Sequence, residues 1–574
     1  MQSLRKLLQS IPHQIQQGAD LQDINISGVT HDSRLVRPGN LFVAFSGQSF
    51  DGHLFFEEVA DQGVAALLGQ KSLSELSSQG ISIPEQLPYY KVANSRKSMA
   101  HLAAAFHGFP SRALIVIGIT GTDGKTSTAN ILESILATAT QSGAYPNGRV
   151  GVISTVGARM CGRESDTGLH VTTPDAPAIQ QYLAKMRDAG CLYAIIESTS
   201  MGIAQFRVDA IDFDVAAVTN ITHEHIDWHG SRSAYIDAKA DLFRMLFRNQ
   251  SGKIESCQAI LNVDDRGDAD CPGSFDALLA VLMKEAVRAT KDTRPITFRS
   301  YGIVQSVSNR EGSQETRVQE SQCQDTQGRP TVWPTGLEFQ PDRTRFDLHY
   351  PSGVFPIESH LIGDFNVQNI LCAATIALSL GISPRSIQVG TLRMKGVLGR
   401  MERIDCGQPF LALVDFAHSP ASLERALLTL RRLLVSSTPS GSQQNRLIAL
   451  FGSAGLRDVE KRRLMGQVSG QLADFTIITA EDPRTEDLDE INCTIAAGVL
   501  ESTTEQHFMI IPDRTEAIFQ AVKMARPGDI VASFGKGHER SMCYGTTEYP
   551  WNEQAVLQNA LHALGFSKGS DGSI

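Results

Sequence analysis

At 574 residues the chain is too long for one hydrophobic core, and ordinary domain sizes imply about three or four units with clefts between them. Its 42% hydrophobic and 20% charged residues are those of a folded globular protein and exclude a disordered or fibrous class. A formal net charge of −10 excludes a general nucleic-acid binder, which needs a Lys/Arg surplus, but leaves room for a nucleotide at one local site.

The first stretch, "MQSLRKLLQSIPHQIQ", sets Leu4, Leu7, Leu8 and Ile11 at helical spacing without a continuous apolar run or a small-residue cleavage site. It reads as a surface helix. No segment has the apolar length that crossing a bilayer needs. The nine cysteines are scattered, odd in number and without C-x-x-C, which predicts a reducing compartment, the cytoplasm. "LFVAFSG" reads as a buried strand, and "DGHLFFEEVADQGVAALLG" as a helix followed by a strand. From Ser111, apolar strands alternate with amphipathic helices; "ALIVIGIT", "CLYAIIE" and "DVAAVTNI" are the clearest strands. From Gly399 the pattern repeats with "FLALVDFA", "RLIALFGSAG", "FTIITAEDPR" and "GDIVASFGKG". The class is therefore α/β, with parallel sheets covered by helices on both faces. The section 305–333, rich in Gln, Ser, Thr, Arg and Glu, reads as a mobile insertion, and "SKGSDGSI" as a disordered tail.

In both α/β sections the polar, Gly-containing segments follow the strands directly, at the edge where open α/β sheets bind ligands. Gly121-Thr122-Asp123-Gly124-Lys125-Thr126-Ser127 leaves a strand and opens a helix, the setting in which backbone amides and a helix N-terminus hold phosphate. Lys125 would neutralise phosphate oxygens and Thr126 would offer its hydroxyl to Mg²⁺. The strict G-x-x-x-x-G-K-[ST] pattern fails at Ile119, which stands where its first glycine belongs. Downstream, Glu197 ends a strand, and His223, Glu224, His225, Asp227 and His229 fall within seven residues. His-Glu-x-x-His is not satisfied, because Asp227 holds the place of the second histidine, so zinc is disfavoured. Mg²⁺ bridging nucleotide phosphates needs one or two protein ligands, which Glu197 and His225 can supply.

Taken in order, "THDSRLVRPGNLFVAFSGQSFDGH", the phosphate loop, "HVTTPDA", "ESTSMGIAQFRV", "TNITHEHIDWHGSRSAYIDAK", "LIGDFNVQNILCAA", "GRMERI", "VDFAHSPASLERAL", "GLRDVEKRRLMG", "TAEDPRTED" and "GKGHE" resemble the Mur ligases. Within them the resemblance is to the MurE type, which adds the third peptide residue to UDP-MurNAc-L-Ala-D-Glu. It implies three domains: a UDP-sugar domain over 1–110, a central ATP-binding domain over 111–398, and a C-terminal Rossmann-like domain over 399–574 that binds the incoming amino acid. The resemblance assigns Ser33, Gln48 and Ser49 to the UDP-sugar, and Thr172, Thr173, Thr199, Gln205 and Arg207 to the peptide. Asn366, Asn369, Arg400 and Asp415 fall around the nucleotide, and Lys239 matches a lysine carbamylated in the family, where it helps bind a second Mg²⁺. Arg457, Glu481, Asp482, Arg484, Gly535 and Glu539 match the pocket for a diamino acid.

The implied reaction turns the D-Glu γ-carboxylate into an acyl phosphate at the expense of ATP, and the amine of the incoming residue then displaces phosphate. Lys125, Glu197, His225 and Lys239 carry the first step, with Thr126, Glu197, His225 and carbamylated Lys239 as the metal set. The segment Lys395 to Arg400 would be the hinge for domain closure. The implied protein is a monomer without a nucleic-acid or membrane partner.

Several positions depart from the family pattern. Asp123 replaces Asn, Thr199 replaces Ser, Met201 replaces His, "GSAGLRD" replaces the usual Gly-Gly-Asp-Arg, and "EDPR" replaces Asp-Asn-Pro-Arg. Arg484 favours the distal carboxylate of meso-diaminopimelate, whereas Asp482 suits the ammonium end of lysine or ornithine; the balance tips toward diaminopimelate. Other readings are a MurF-type or folylpolyglutamate synthase-like ligase, a P-loop kinase or mechanical ATPase, and a non-catalytic ligase-like nucleotide binder.

Overall fold

The computed structural model describes residues 1–18, 24–47, 51–165, 172–222, 226–249, 251–265, 273–290, 293–303, 330–340, 343–437, 445–502 and 507–567. Nearly all of the section expected to be a mobile insertion, and all of the expected disordered tail but Ser567, lie outside them.

Near the N-terminus, Gly28–Thr30, Asn40–Val43, Ala66–Gly69 and Tyr89–Lys91 form a parallel sheet with Gln14–Gln17 antiparallel at one edge. Every residue of Asn40–Val43 is buried, and its side chains alternate between two cores: Leu41 and Val43 face one, Phe42 the other. The expected N-terminal helix is short, Leu4–Leu8, and its Leu4, Leu7 and Leu8 enter the same core as Leu41.

The middle sheet runs Arg163–Ser165, Gly157–Met160, Val150–Ser154, Tyr193–Glu197, Ile115–Thr120, Val215–Val218, Cys257–Asn262 and Ile296–Tyr301. From Val150–Ser154 onward all neighbours are parallel, as the β-α alternation predicts. The first two strands are an antiparallel hairpin, so the sheet is mixed. Cys161 and Gly162 reverse the chain there, both with positive φ. Ile115–Thr120 lies inside the sheet between two parallel neighbours, so the loop leaving its carboxyl end opens among the ends of other strands.

The last sheet runs Glu402–Ile404, Leu411–Asp415, Ile530–Phe534, Leu447–Phe451, Phe475–Ile478 and Phe508–Ile510, parallel except for its first pair. Alternate residues again serve two cores: Leu447, Ala449 and Phe451 face one, Ile448 and Leu450 the other. Packing divides the chain into two units, one of 1–334, 348–355 and 368–390, the other of 335–347, 356–367 and 391–574. Among the described residues no helix is long and apolar enough to cross a membrane.

The second unit is tied internally by an ion pair with almost no solvent exposure, Arg514 to Glu553 at 2.8 Å. Arg514 also donates to the carbonyls of Ala480 at 3.0 Å and Phe534 at 2.7 Å, and the Trp551 indole donates to Glu553 at 2.7 Å. Removing one partner strands a buried charge. Glu553→Ala should therefore cost about 3–5 kcal/mol in denaturant unfolding; a loss below about 1 kcal/mol would show that the pair does not hold the unit together.

Candidate active site

The helix Lys125–Thr140 follows the strand Ile115–Thr120 after a four-residue loop. Gly124 caps it at φ 80° with no side-chain cap, so the first amides of the helix face the loop. Gly121, at φ 144°, passes so close to Thr219 that a Cβ would lie 1.9 Å from the threonine hydroxyl. The loop is held from outside: the Asp123 amide donates to Asn220 Oδ1 at 3.1 Å, and its carbonyl accepts from Thr219 Oγ1 at 2.5 Å and Asn220 Nδ2 at 3.2 Å. The Thr122 hydroxyl meets the Tyr235 hydroxyl at 3.0 Å. Lys125 Nζ folds onto the carbonyls of Gly121 and Thr122, at 3.0 and 2.7 Å.

Two further groups reach this loop. Glu197, fully buried, accepts from Thr126 Oγ1 at 3.2 Å and from Thr155 Oγ1 at 2.9 Å. Lys239, at 1% exposure, donates from Nζ to the Gly121 carbonyl at 2.7 Å and lies 4.5 Å from the centre of the Tyr235 ring. Thr126 and Ser127 are buried in the first helical turn, and Thr128 donates to Asn369 Oδ1 at 3.3 Å. A carboxylate ringed by hydroxyls beside a helix N-terminus is a donor set that suits a hard divalent cation carrying phosphate oxygens. His225 lies outside the described residues, as do Gln48 and Ser49.

The positions assigned to the peptide gather on the same strand end. Thr173 Oγ1 donates to the Glu197 carbonyl at 2.9 Å and accepts from the Thr199 amide at 3.0 Å. Thr199 caps the short helix Ser200–Ala204, which carries Met201 in its first turn. Thr172 reaches Thr155 at 3.0 Å. Arg207 is braced by the Thr173 carbonyl at 2.6 Å and by Gln205 Oε1 at 2.7 Å. Ser33 opens a 3₁₀ turn capped by Asp32. Thr155, Thr219, Asn220 and Tyr235 are not singled out by the sequence, although the last three stand inside the motif "TNITHEHIDWHGSRSAYIDAK".

In the second unit, Asp415 accepts from the Met401 amide at 2.6 Å and the Ala417 amide at 2.7 Å. Arg400 lies over the Phe416 ring at 4.6 Å, a ring that also contacts His418 and His538. Burial pushes His538 down to about 3, with Arg400, His418 and Lys536 adding to the effect, so it is neutral at physiological pH. Asn366 donates to the Ile362 carbonyl at 2.9 Å. Asp482 pairs with the buried Lys536 at 2.9 Å and accepts from the Cys543 amide at 3.0 Å; Lys536 also pairs with Glu539 at 2.6 Å. Arg484 adopts φ 54° and hydrogen-bonds through its backbone amide to the Cys543 carbonyl. Among the described residues neither Arg484 nor Arg457 has a carboxylate partner. Arg457 is exposed, next to Leu456 at φ 57°.

Glu481 is buried against Gly535, whose φ is 100° and whose added Cβ would sit 2.9 Å from Glu481 Oε2. Among the described residues that oxygen has no hydrogen-bond partner. Burial raises the carboxyl from 4.5 to about 7, against the opposing charges of Lys461, Lys536 and Arg514. The unfolded chain releases this proton near 4.5 and the folded chain keeps it to about 7, so the stability it gives is complete below 4.5 and lost as pH rises through about 7. Glu481→Gln should remove that slope, unfolding at higher temperature than the parent at about pH 8; parallel pH profiles would place the Glu481 carboxyl in water.

Comparison with known proteins gives three matched segments. The Mur ligase family, catalytic domain, matches residues 25–107, the Mur ligase middle domain 119–272, and the Mur ligase glutamate ligase domain 399–537. The UDP-N-acetylmuramyl-tripeptide synthetase of Roseiflexus sp. (strain RS-1) is 37% identical over 94% of this chain and 95% of its own. The UDP-N-acetylmuramoyl-L-alanyl-D-glutamate--2,6-diaminopimelate ligase of Syntrophomonas wolfei is 33% identical over 93% and 94%. A solved structure of a UDP-N-acetylmuramoyl-L-alanyl-D-glutamate--2,6-diaminopimelate ligase covers 97% of the chain and 99% of its own at 25% identity and a TM-score of 0.61. A folylpolyglutamate synthase of Mycobacterium tuberculosis, 16% identical with a TM-score of 0.55 over 80% of this chain and 93% of its own, shares the fold. With phosphate loop, buried carboxylate and full-length similarity in agreement, the chain belongs to the Mur ligase family.

Proposed function

We propose that this protein is an ATP-dependent peptide ligase that joins a diamino acid to the D-Glu γ-carboxylate of UDP-MurNAc-L-Ala-D-Glu, as a cytoplasmic monomer in peptidoglycan precursor synthesis. The observation that carries the proposal is the meeting, on Glu197, of the Thr126 hydroxyl from the first turn of the phosphate-loop helix and the hydroxyl of Thr173, one of the peptide positions, in a chain similar end to end to tripeptide synthetases. The three matched segments also support a division into UDP-sugar, ATP and amino-acid domains over 1–110, 111–398 and 399–574.

An amide does not form from a carboxylate in water without activation. The D-Glu γ-carboxylate oxygen attacks the γ-phosphorus of ATP, ADP leaves, and an acyl phosphate results. The amine then attacks the acyl carbon and expels inorganic phosphate, losing a proton. Lys125 and the first amides of its helix offset charge on the transferring phosphoryl group. Thr126 and Glu197, with His225 and a carbamylated Lys239, would hold Mg²⁺, which supplies charge neutralisation between phosphate oxygens when bound. Burial of Lys239 against the Gly121 carbonyl supports its modification, since reaction with CO₂ would exchange a buried cationic end for an anion that could help hold Mg²⁺.

For the incoming residue the balance favours meso-diaminopimelate. Asp482, which could attract a terminal ammonium, is already engaged by the Cys543 amide and by Lys536, which it shares with Glu539. Arg484, without a carboxylate partner among the described residues, suits a distal carboxylate bound bidentately.

Purified protein supplied with UDP-MurNAc-L-Ala-D-Glu, MgATP and separately diaminopimelate, lysine or ornithine should release phosphate and form tripeptide product, fastest with diaminopimelate; no product from any of the three would sink the proposal. Lys125→Ala should lower kcat at least ~100-fold with unfolding unchanged. Lys239→Ala should lose activity that added short-chain carboxylic acids partly restore, and an unaffected Lys239→Ala enzyme would remove the carbamate from the scheme.

A further inference from the structure

Near the peptide positions of the first unit lies a cluster of charged groups whose signs do not balance. His31 stacks on Phe45, with ring centres 4.6 Å apart and planes 19° apart, and the Arg96 guanidinium lies over the same phenyl ring at 4.8 Å. Among the described residues Arg96 has neither a carboxylate nor a hydrogen-bond partner. Burial lowers the pKa of Arg207; Asp175 opposes that and Arg96 adds to it, so the two guanidiniums feel each other. Both also reach His31, where burial is the main influence and Asp175 and Asp32 oppose it.

The acidic side is thinner. Asp32 is engaged by Arg34 through two side-chain bonds, at 2.9 and 2.6 Å. Asp175 uses Oδ1 to cap the helix Ala176–Asp188 and holds Oδ2 3.7 Å from His31 Nε2. That leaves one partly committed carboxylate facing two guanidiniums and an imidazole. His31 Nδ1 is buried and has no partner among the described residues. Arg207 keeps its other donors on Thr173 and Gln205, so its fork is fixed in orientation.

We infer that Arg96, with His31 and Arg207, binds an oxyanion of the nucleotide-sugar peptide, either its pyrophosphate or a peptide carboxylate. Arg96 supplies the charge that the protein leaves unmatched, the Phe45 ring carries the guanidinium, and His31 Nδ1 is a buried hydrogen-bonding atom without a partner among the described residues. The inference rests on the substrate reading proposed above and adds two residues to its binding surface.

The test is calorimetric binding of UDP, UDP-MurNAc and UDP-MurNAc-L-Ala-D-Glu without ATP, to the full-length protein and to Arg96→Met, Arg96→Gln and Arg96→Lys. Met keeps the packing against Phe45, Gln keeps polarity without charge, and Lys keeps the charge. Arg96→Met and Arg96→Gln should each weaken binding of the dipeptide ligand ~10- to 100-fold, with Arg96→Lys recovering part of the loss. In turnover, KM for that substrate should rise by a similar factor while KM for ATP stays within about twofold, a split that damage to the fold would not give. Loss for UDP as well assigns the pyrophosphate; loss confined to the dipeptide ligand assigns a carboxylate. Parent-like affinity of Arg96→Met and Arg96→Gln for all three ligands would overturn the oxyanion site and leave Arg96 as packing on Phe45. Absence of binding by the parent protein would overturn the substrate reading itself, and the oxyanion site with it.

Discussion

Burial of the Glu197 carboxylate at the end of Tyr193–Glu197 is the constraint on which the first unit's site depends. Its side chain takes hydroxyls from the phosphate-loop helix and from Thr155, while its backbone carbonyl takes the hydroxyl of Thr173. One residue thereby joins the surface that would hold phosphate to the surface that would hold a peptide. Sheet register enforces this: Glu197 stands opposite Ile119 on the adjacent parallel strand, just before the loop begins. A one-residue slip would turn the carboxylate to the other face of the sheet, so register and site stand or fall together.

The second unit solves a similar problem with a buried ion pair. Arg514 holds the carbonyls of Ala480 and Phe534, which immediately precede Glu481 and Gly535. The ends of two parallel strands are thus fixed in relation to each other, and Glu481 is pressed against a glycine where any side chain would collide. Lys536, from the same turn, is shared between Asp482 and Glu539. What remains exposed to an incoming amino acid is set by which of these charges the protein has already matched. By that measure the aspartate peculiar to "EDPR" is engaged within the protein, whereas Arg484 has no carboxylate partner among the described residues.

Much of the fold was legible because apolar blocks of strand length alternate with amphipathic helices, and the phosphate loop announced itself through glycine, lysine and threonine between strand and helix. The antiparallel hairpin beside Val150–Ser154 was not, because its turn depends on Cys161 and Gly162 taking left-handed conformations, which composition does not signal. Asp123, where the family pattern has Asn, sets a carboxylate in the phosphate loop, and how the loop holds that residue was not legible. The fold answers for its backbone alone: Thr219 and Asn220, nearly a hundred residues away, hold its amide and carbonyl. Lys239 could have been an ordinary surface lysine by its helical spacing; only packing reveals that its amine is buried on the loop. Arg514 and Glu553, thirty-nine positions apart, carry no local signature at all. For Asp123, Lys239 and the Arg514–Glu553 pair the missing information was a long-range pairing, which one chain read in order does not contain.

The central claim is that the first unit activates a carboxylate by phosphorylating it, and oxygen isotope transfer tests this most directly. UDP-MurNAc-L-Ala-D-Glu carrying ¹⁸O in the γ-carboxylate, turned over once with MgATP and diaminopimelate, should deliver one ¹⁸O into the inorganic phosphate released, because the acyl phosphate breaks between carbon and the bridging oxygen. Product formed together with unlabelled phosphate would contradict carboxylate activation and require a different route to the amide.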